Sequence, residues 1–285
     1  MRNIIRKLTL VVATFVAVAS AQAQAQEKTI TIGTMGWEDL LPVSLITKKF
    51  MEKEGYKVEL VKFSEWGIAF GALSKGDADI LVSQINYVAS DYWEKNKTKL
   101  EKISVVSHGL FQGLVVPSYV PVDSVDQLNQ ISDKVGGKII GIEPGSGLMR
   151  EVGEAVKAYG LNYKVVEGST AAMTAELQST MQRKEPIVTM LWKPSWMVMK
   201  YDVKFLKDPK HIFAPPQSYY WIGKRGFSAK DPHAREALAS VYVPIEDITA
   251  INGEVKDGKT FDQAVDDWWN QNKDLVDRWS VMAEK

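Results

Sequence analysis

The chain has 285 residues, of which 45% are hydrophobic and 25% are charged. These values are ordinary for a globular protein with one large or two smaller domains. It contains no cysteine and only three histidines, which argues against a disulfide framework, thiolate catalysis and an imidazole zinc site. Basic and acidic side chains number 35 each, so no positive field for nucleic acid is expected.

The first residues predict an export signal. A basic start precedes the apolar run "LTLVVATFVAV" and small residues suited to cleavage. The apolar run is too short to span a bilayer, and no later stretch reaches about 20 uninterrupted apolar residues. Cleavage of this segment, residues 1–25, would leave 32 basic and 35 acidic side chains, a net charge of −3. We therefore expect the mature chain to be a soluble monomer in the periplasm.

Strand-like and helix-like segments alternate along the rest of the chain, which predicts an α/β fold with mainly parallel strands. In the first half we predict strands at 27–32, 56–63, 79–82 and 114–116, and helices at 41–54, from 66 to the turn at 76, and at 86–96. Prolines at 117 and 121 follow the last of these strands. That spacing is typical of a segment that crosses between two units, because proline is excluded from sheet centres.

The second half repeats the alternation. We predict strands at 138–142, 163–166 and 187–191, helices at 148–159, 170–184, 232–241 and 261–282, and a second crossing at 218–227. Two α/β units joined by two crossings predict a two-lobed clamshell with a ligand cleft between the lobes. The expected bounds are 26–117 for the first part of lobe 1, 118–220 for lobe 2, and 221–285 for the part of lobe 1 that returns.

Several motifs resemble those of the substrate-binding proteins of glycine betaine, choline and carnitine type ABC importers. They are "GWEDLLP", "GALSKGDADI", "GLVVPSYV", "GIEPGSGLMREVGEAVKAYGL", "VVEGSTAAMTAEL" and "EPIVTMLWKPSWMVMKYDVKFLKDP", and they occur in the family's order from about Thr29 to about Tyr242. The resemblance implies a type II periplasmic-binding-protein fold. It also implies that the fold closes on a small methylated amine and docks on an inner-membrane ABC permease.

The residues after the first predicted strand suit such a ligand. Trp37 is followed by Glu38 and Asp39, at the strand end where open α/β sheets hold ligands. A quaternary ammonium group cannot donate a hydrogen bond, so it is recognised by aromatic faces through cation–π contacts worth about 0.5 to 2 kcal/mol each. A nearby carboxylate adds Coulombic attraction. The sequence therefore places both kinds of group in one stretch.

The resemblance also implies specific site residues. Trp37, Tyr119 and Trp192 match positions whose aromatic rings face the ligand in the family. Asp39 matches a position that meets the ligand's polar end in choline-binding relatives, although it could equally cap the next helix. Backbone N–H groups at Ser146 and Gly147 could receive a carboxylate, or this loop could be a plain turn in which the serine is the cap.

One segment departs from the family pattern. A cage tryptophan is common after the strand that corresponds to "DADILVS", but this chain has Ile85, Asn86 and Tyr87 there. The missing aromatic face could come from Tyr87 or from Trp66, or the cage could be open on this side to suit a different substituent. The Asn86 amide would suit a ligand with a polar arm. This departure leaves the identity of the methylated amine open.

Functions from other classes fit the sequence less well than solute binding does. We find no Ser/His/Asp spacing and no facing carboxylate pair that would support catalysis, and we expect no catalytic residue, metal or cofactor. The fold alone would still permit an enzyme. A ligand sensor that docks on a membrane receptor is a further alternative, because sensing and transport would use the same closed clamshell.

Overall fold

The computed structural model describes residues 28–144 and 146–284. The predicted signal segment lies outside the described residues. Within them, no helix has both the length and the apolar character needed to cross a bilayer. The strands in chain order are β1 (Thr29–Met35), β2 (Lys57–Phe63), β3 (Ile80–Ser83), β4 (Leu100–Pro117), β5 (Lys138–Ile140), β6 (Lys164–Val166), β7 (Thr189–Lys193), β8 (Val203–Phe205) and β9 (Gln217–Lys224).

These strands form one mixed sheet in the order β2-β1-β3-β9-β4-β7-β5-β6, with β8 paired to β4. Parallel ladders lie at both ends: β1 pairs with β2 and β3, and β5 pairs with β6 and β7. Antiparallel pairing of β9 with β3 and β4, and of β4 with β7, joins the two ends. The parallel ends correspond to the two α/β units that the sequence predicts.

Helices cover the faces of the sheet. They are α1 (Leu41–Lys53), α2 (Trp66–Lys75), α3 (Ser90–Asn96), α4 (Gly147–Ala158), α5 (Thr170–Gln182), α6 (Met197–Lys200), α7 (Phe227–Lys230), α8 (Pro232–Ser240), α9 (Ile245–Lys256), α10 (Phe261–Gln271) and α11 (Lys273–Ala283), with 3₁₀ turns at Val125–Ile131 and Asp133–Val135. Residues at the N-cap positions determine where several of these helices begin. Ser146 and Ser169 each accept a backbone N–H at a helix N-cap, and Thr260 and Gln263 form a capping box for α10.

Strand β4 is much longer than the predicted strand at 114–116. Its first part pairs with β9, and its later part, from Phe111, pairs with β7 and β8. The ladder with β9 shifts register between Lys102 and Ser104, between Val105 and Ser107, and again before Leu110. Such bulges interrupt the alternation of apolar and polar residues, which is why the first part of β4 carries no clear strand pattern.

Two separate hydrophobic clusters lie along this sheet. The first draws on residues 30–106 and 219–283, and the second on residues 114–213. The clusters therefore change over within 107–113 and 214–218, a few residues before the predicted bounds at 117 and 220. Residues 114–116, predicted to end lobe 1, pack in the second cluster. The division into lobes with those bounds stays a prediction.

Several helical segments differ from the prediction, and three of them matter most. The helix predicted at 86–96 begins only at Ser90, because the chain first makes a turn in which the N–H groups of Tyr87 and Ala89 bond to the Gln84 carbonyl. The helix predicted at 261–282 is two helices that meet at Asn272, whose side-chain amide donates to the Trp268 carbonyl. Helix α9 was not predicted.

Burial of Trp279 ties the C-terminal helices to the first cluster. Its ring packs edge-on against Phe50 at 5.5 Å and stacks on Trp268 at 6.1 Å. We expect Trp279→Ala to lower the free energy of unfolding by about 3–5 kcal/mol, because the loss of a buried ring leaves a cavity. Urea unfolding measures this. Val281 on the same helix is 55% exposed, so Val281→Ala is the control and should change stability by less than about 0.5 kcal/mol. Equal losses in the two variants would contradict this packing.

Candidate functional site

A cavity of about 300 Å³ lies where the two clusters face each other. It is mainly aromatic and apolar, with a few polar groups, as ligand sites usually are. Its lining residues are Trp37, Glu38, Asp39, Gln84, Tyr87, Val88, Leu110, Phe111, Gln112, Trp192, Ala214, Pro215 and Gln217. Of the eight residues that the sequence predicts for the site, four therefore line this cavity: Trp37, Asp39, Tyr87 and Trp192.

Trp37 follows the carboxyl end of β1 and forms one aromatic wall. The residue remains 41% exposed, and its ring meets Trp66 edge-on at 5.5 Å. Trp66 is itself buried in the first cluster and is not among the lining residues. It supports the wall from behind. The alternative that Trp66 supplies a missing cavity face is therefore not what the structure shows.

Trp192 forms a second wall from the other side of the cleft. It lies near the carboxyl end of β7, directly opposite Gln112 of β4 in the antiparallel register. The ring packs against the second cluster and also lines the cavity. Because Trp37 belongs to the part of the chain that forms the first cluster, the two tryptophans approach the cavity from different lobes.

Asp39 places a carboxylate in the cavity wall. Its Oδ2 accepts hydrogen bonds from Gln84 Nε2 at 2.7 Å and from Tyr219 Oη at 2.9 Å. Burial raises the pKa of the Asp39 carboxyl above its ordinary value, although these two donors partly offset that effect. The N-cap of α1 is Leu40, with no side-chain cap hydrogen bond. Asp39 is therefore not the N-cap of this helix, and its carboxylate lines the cavity.

Glu38 is a second carboxylate in the lining; the sequence places it beside Trp37, but it is not among the eight predicted site residues. Burial raises the pKa of Glu38, and the neighbouring Asp39 charge raises it further. Hydrogen bonding by Trp192 and Ser195, together with the positive charge of Lys256, partly offsets the rise. Two adjacent carboxylates in a poorly solvated cleft are costly to ionise together, and an entering cation would lower that cost.

Tyr87 lines the cavity from the segment after β3, where the resemblance implies a tryptophan. Ile85 is only 2% exposed and packs in the first cluster, so the turn after β3 presents Tyr87 instead. Asn86 is not in the cavity lining, and its amide donates to Tyr220 Oη at 2.9 Å. The expectation that Asn86 meets a polar arm of the ligand is therefore not supported by the geometry.

Ser146 and Gly147 are not in the lining either. Ser146 is the N-cap of α4, and its Oγ accepts from the Met149 N–H at 3.2 Å. The Ser146 side chain is therefore an ordinary helix cap, and binding of a carboxylate by the N–H groups of Ser146 and Gly147 stays a prediction. The nearest link of this helix start to the cleft is through Tyr87, because a Cβ atom on Gly147 would lie 3.7 Å from the tyrosine hydroxyl.

The structure does not bring Tyr119 to this cavity, for a topological reason. β4 runs antiparallel to β7, so the chain beyond Pro117 leaves at the amino end of β7, whereas Trp192 lies near the carboxyl end. Tyr119 is 46% exposed there, and its hydroxyl donates to the Glu185 carbonyl at 2.8 Å. Its ring lines no part of the cavity.

Gln84 and Gln112 are lining residues that sequence reasoning missed. Gln84 directly follows β3, so the rule that ligands gather at carboxyl ends of strands could have found it. Gln112 lies inside β4, where the irregular register conceals the alternation of faces. Only the pairing of Gln112 with Trp192 shows that it points to the same region.

The family model and the named relatives that match this chain agree with each other. Residues 28–271 match the family described as the substrate binding domain of the ABC-type glycine betaine transport system. The glycine betaine/carnitine transport binding protein GbuC of Listeria monocytogenes is 34% identical over 163 residues, which are 56% of this chain and 54% of that protein. The alignment thus spans about half the length of that relative. A glycine betaine/proline betaine-binding periplasmic protein of Salmonella typhimurium is 23% identical over 278 residues, 83% of this chain and 84% of that protein.

Solved structures agree with the fold. The glycine betaine/L-proline-binding protein ProX of Borrelia burgdorferi superposes with a TM-score of 0.71 at 31% identity and covers 88% of this chain and 96% of its own. Lactococcal OpuAC in its closed, glycine betaine-bound conformation superposes with a TM-score of 0.73 at 26% identity, over 89% of this chain and 99% of that one. The predicted α/β, two-lobed type II periplasmic-binding-protein fold is confirmed. The chain belongs to the family of substrate-binding domains of ABC-type glycine betaine transport systems.

Proposed function

We propose that this chain captures a small quaternary ammonium compound in the cleft and delivers it to the permease of an ABC importer. The family is one of transport binding proteins and not of enzymes. Relatives named as periplasmic binding proteins support a periplasmic location. We further propose that the chain acts as a monomer and docks on the permease in the inner membrane.

The juxtaposition of Trp37, Trp192 and the two carboxylates carries this proposal. Two indole rings from opposite lobes offer π-faces to one cavity, and Glu38 and Asp39 supply negative charge beside them. Among the described residues that line this cavity, none is lysine, arginine or histidine. A cation without hydrogen-bond donors is the ligand that such a lining favours, because aromatic faces and carboxylates both attract it.

The charge of the lining also favours one kind of polar tail. The two possible anchors for the tail were Asp39 and the helix start at Ser146, and only Asp39 lines the cavity. A hydroxyl tail can donate to this carboxylate, whereas a carboxylate tail meets like charge from Asp39 and Glu38. The relatives are named for betaines and carnitine, and choline has the same kind of ammonium head. We infer that this site prefers a ligand of the choline type to glycine betaine.

Calorimetric titration with choline, carnitine, glycine betaine and the uncharged carbon analogue of choline tests the ligand class. We expect choline to bind most tightly and the neutral analogue at least about tenfold more weakly, because a lost cation–π contact is worth about 0.5 to 2 kcal/mol for each ring. Parity between choline and its neutral analogue would contradict the cation site. Tighter binding of glycine betaine would contradict the proposed tail and retain the ammonium head.

Alanine substitution of each tryptophan tests the aromatic walls. Trp37→Ala and Trp192→Ala should each weaken choline binding by about 1–3 kcal/mol, through lost cation–π contact and lost apolar burial. Tyr119→Ala is the matched control, since this exposed aromatic residue lies outside the cleft, and its affinity should equal that of the parent. An alanine variant at 37 or 192 that binds like the parent would remove that residue from the site.

The raised carboxyl pKa values predict a pH dependence of binding. A bound cation favours the ionised carboxylates, so binding releases protons wherever the free protein is partly protonated. Affinity for choline should fall as the pH is lowered from neutral into the acid range, because protonation of Asp39 and Glu38, whose pKa values are raised above their ordinary values, removes the negative charge that attracts the cation.

The fall in affinity can be at most about tenfold per pH unit for each proton taken up. Asp39→Asn should bind more weakly and with a shallower pH profile. Asp77→Asn removes an exposed carboxylate elsewhere on the first lobe and should leave the profile unchanged. A wild-type affinity that does not change over this range would show that the two carboxylates stay ionised in the free protein.

A further inference from the structure

The hydroxyl of Tyr87 links the two sides of the cleft. Tyr87 lies in the turn after β3, between Ile85 and Ala89, which are both buried in the first cluster. Its Oη donates to Glu151 Oε1, and Glu151 lies on α4, where the adjacent Val152 is buried in the second cluster. The bond therefore joins groups that are anchored in different hydrophobic clusters.

Gln112 completes this contact. Its side-chain amide donates to Tyr87 Oη and also to Glu151 Oε2, the latter at 2.8 Å. Since Gln112 and Tyr87 both line the cavity, the three side chains form a closed set of hydrogen bonds at one wall of the ligand site. Such mutually polarising bonds hold a side chain in one orientation.

Glu151 is a buried residue with a carboxylate side chain, and it is only 7% exposed. Within 28–144 and 146–284, no lysine, arginine or histidine pairs with it. Its compensation comes from Tyr87 and Gln112. Hydrogen bonds to a charged acceptor are about twice as strong as neutral ones, and burial together with the Glu151 charge raises the pKa of Tyr87, so the hydroxyl remains a donor.

We propose that Glu151 and Gln112 are positioning residues that hold Tyr87 as the cleft wall and thereby slow the release of ligand. A ligand that leaves the cavity requires the lobes to separate, and separation breaks the bond between Tyr87 and Glu151. The tyrosine hydroxyl and not its ring supplies this effect. The inference rests on the proposed function for its ligand and on the cleft geometry for its mechanism.

Tyr87→Phe tests the hydroxyl while it retains the ring. Stopped-flow tryptophan fluorescence with choline and with glycine betaine should show dissociation about tenfold faster than in the parent, with little change in association rate. Tyr119→Phe is the matched control, because it removes a tyrosine hydroxyl outside the cleft, and should leave both rates unchanged. Thermal unfolding of each free variant establishes that the fold is intact.

Glu151→Gln tests whether the effect passes through this carboxylate. It should also speed dissociation, and in a Tyr87→Phe background it should add little, because the bond is already absent. Fully additive effects of the two substitutions would overturn the proposal, as would a Tyr87→Phe variant that releases ligand at the parent rate.

Small-angle X-ray scattering of the ligand-free proteins gives a readout that does not depend on the ligand class. Tyr87→Phe should have a larger radius of gyration than the parent and Tyr119→Phe, because the lobes separate more often. If the protein binds neither choline nor glycine betaine, the proposed function fails and scattering alone decides this inference. Equal radii in the parent and Tyr87→Phe would then overturn it.

Discussion

The antiparallel register of β4 is the constraint on which the cleft depends. This one strand pairs with β9 beside the first hydrophobic cluster and with β7 beside the second. Its hydrogen bonds place Gln112 opposite Trp192, and the chain on either side of that point belongs to different clusters. A shift of one residue would turn Gln112 away from the cavity, since side chains alternate between the faces of a strand. The shape of the site is thus a property of strand pairing.

The cleft also carries an electrostatic cost that the rest of the fold must offset. Glu38 and Asp39 are adjacent carboxylates whose pKa values are both raised by burial. Donors from Gln84 and Tyr219 reduce that cost for Asp39 without removing it. A site that keeps unneutralised charge is less stable than an apolar one of the same volume. The same excess of negative charge favours a cationic ligand, because binding of a cation lowers the electrostatic cost of the two buried carboxylates.

The sequence located part of the site because one topological rule applies to parallel strands. Trp37 and Trp192 each lie at or near the carboxyl end of a strand, and such ends meet at one edge in each α/β unit. The prediction for Tyr119 rests instead on its match to a family position at the first crossing, and it takes no account of strand direction: β4 is antiparallel to β7 and carries the following residues to the opposite edge. The rule for strand ends missed Gln112, which lies inside a strand that bulges interrupt. The order of motifs along the chain does not distinguish these cases, because whether a strand is parallel or antiparallel depends on the strand with which it pairs.

The sequence by itself determined the α/β class, the two-lobed architecture and the chemical character of the stretch around Trp37. These follow from local patterns: alternation, helical periodicity and the types of residue that suit a quaternary ammonium group. Only the tertiary structure decided that Tyr119 lies outside the cleft and that Tyr87 bonds across it to Glu151. Those outcomes depend on strand direction and on contacts between residues distant in the chain, and neither is encoded in any local stretch.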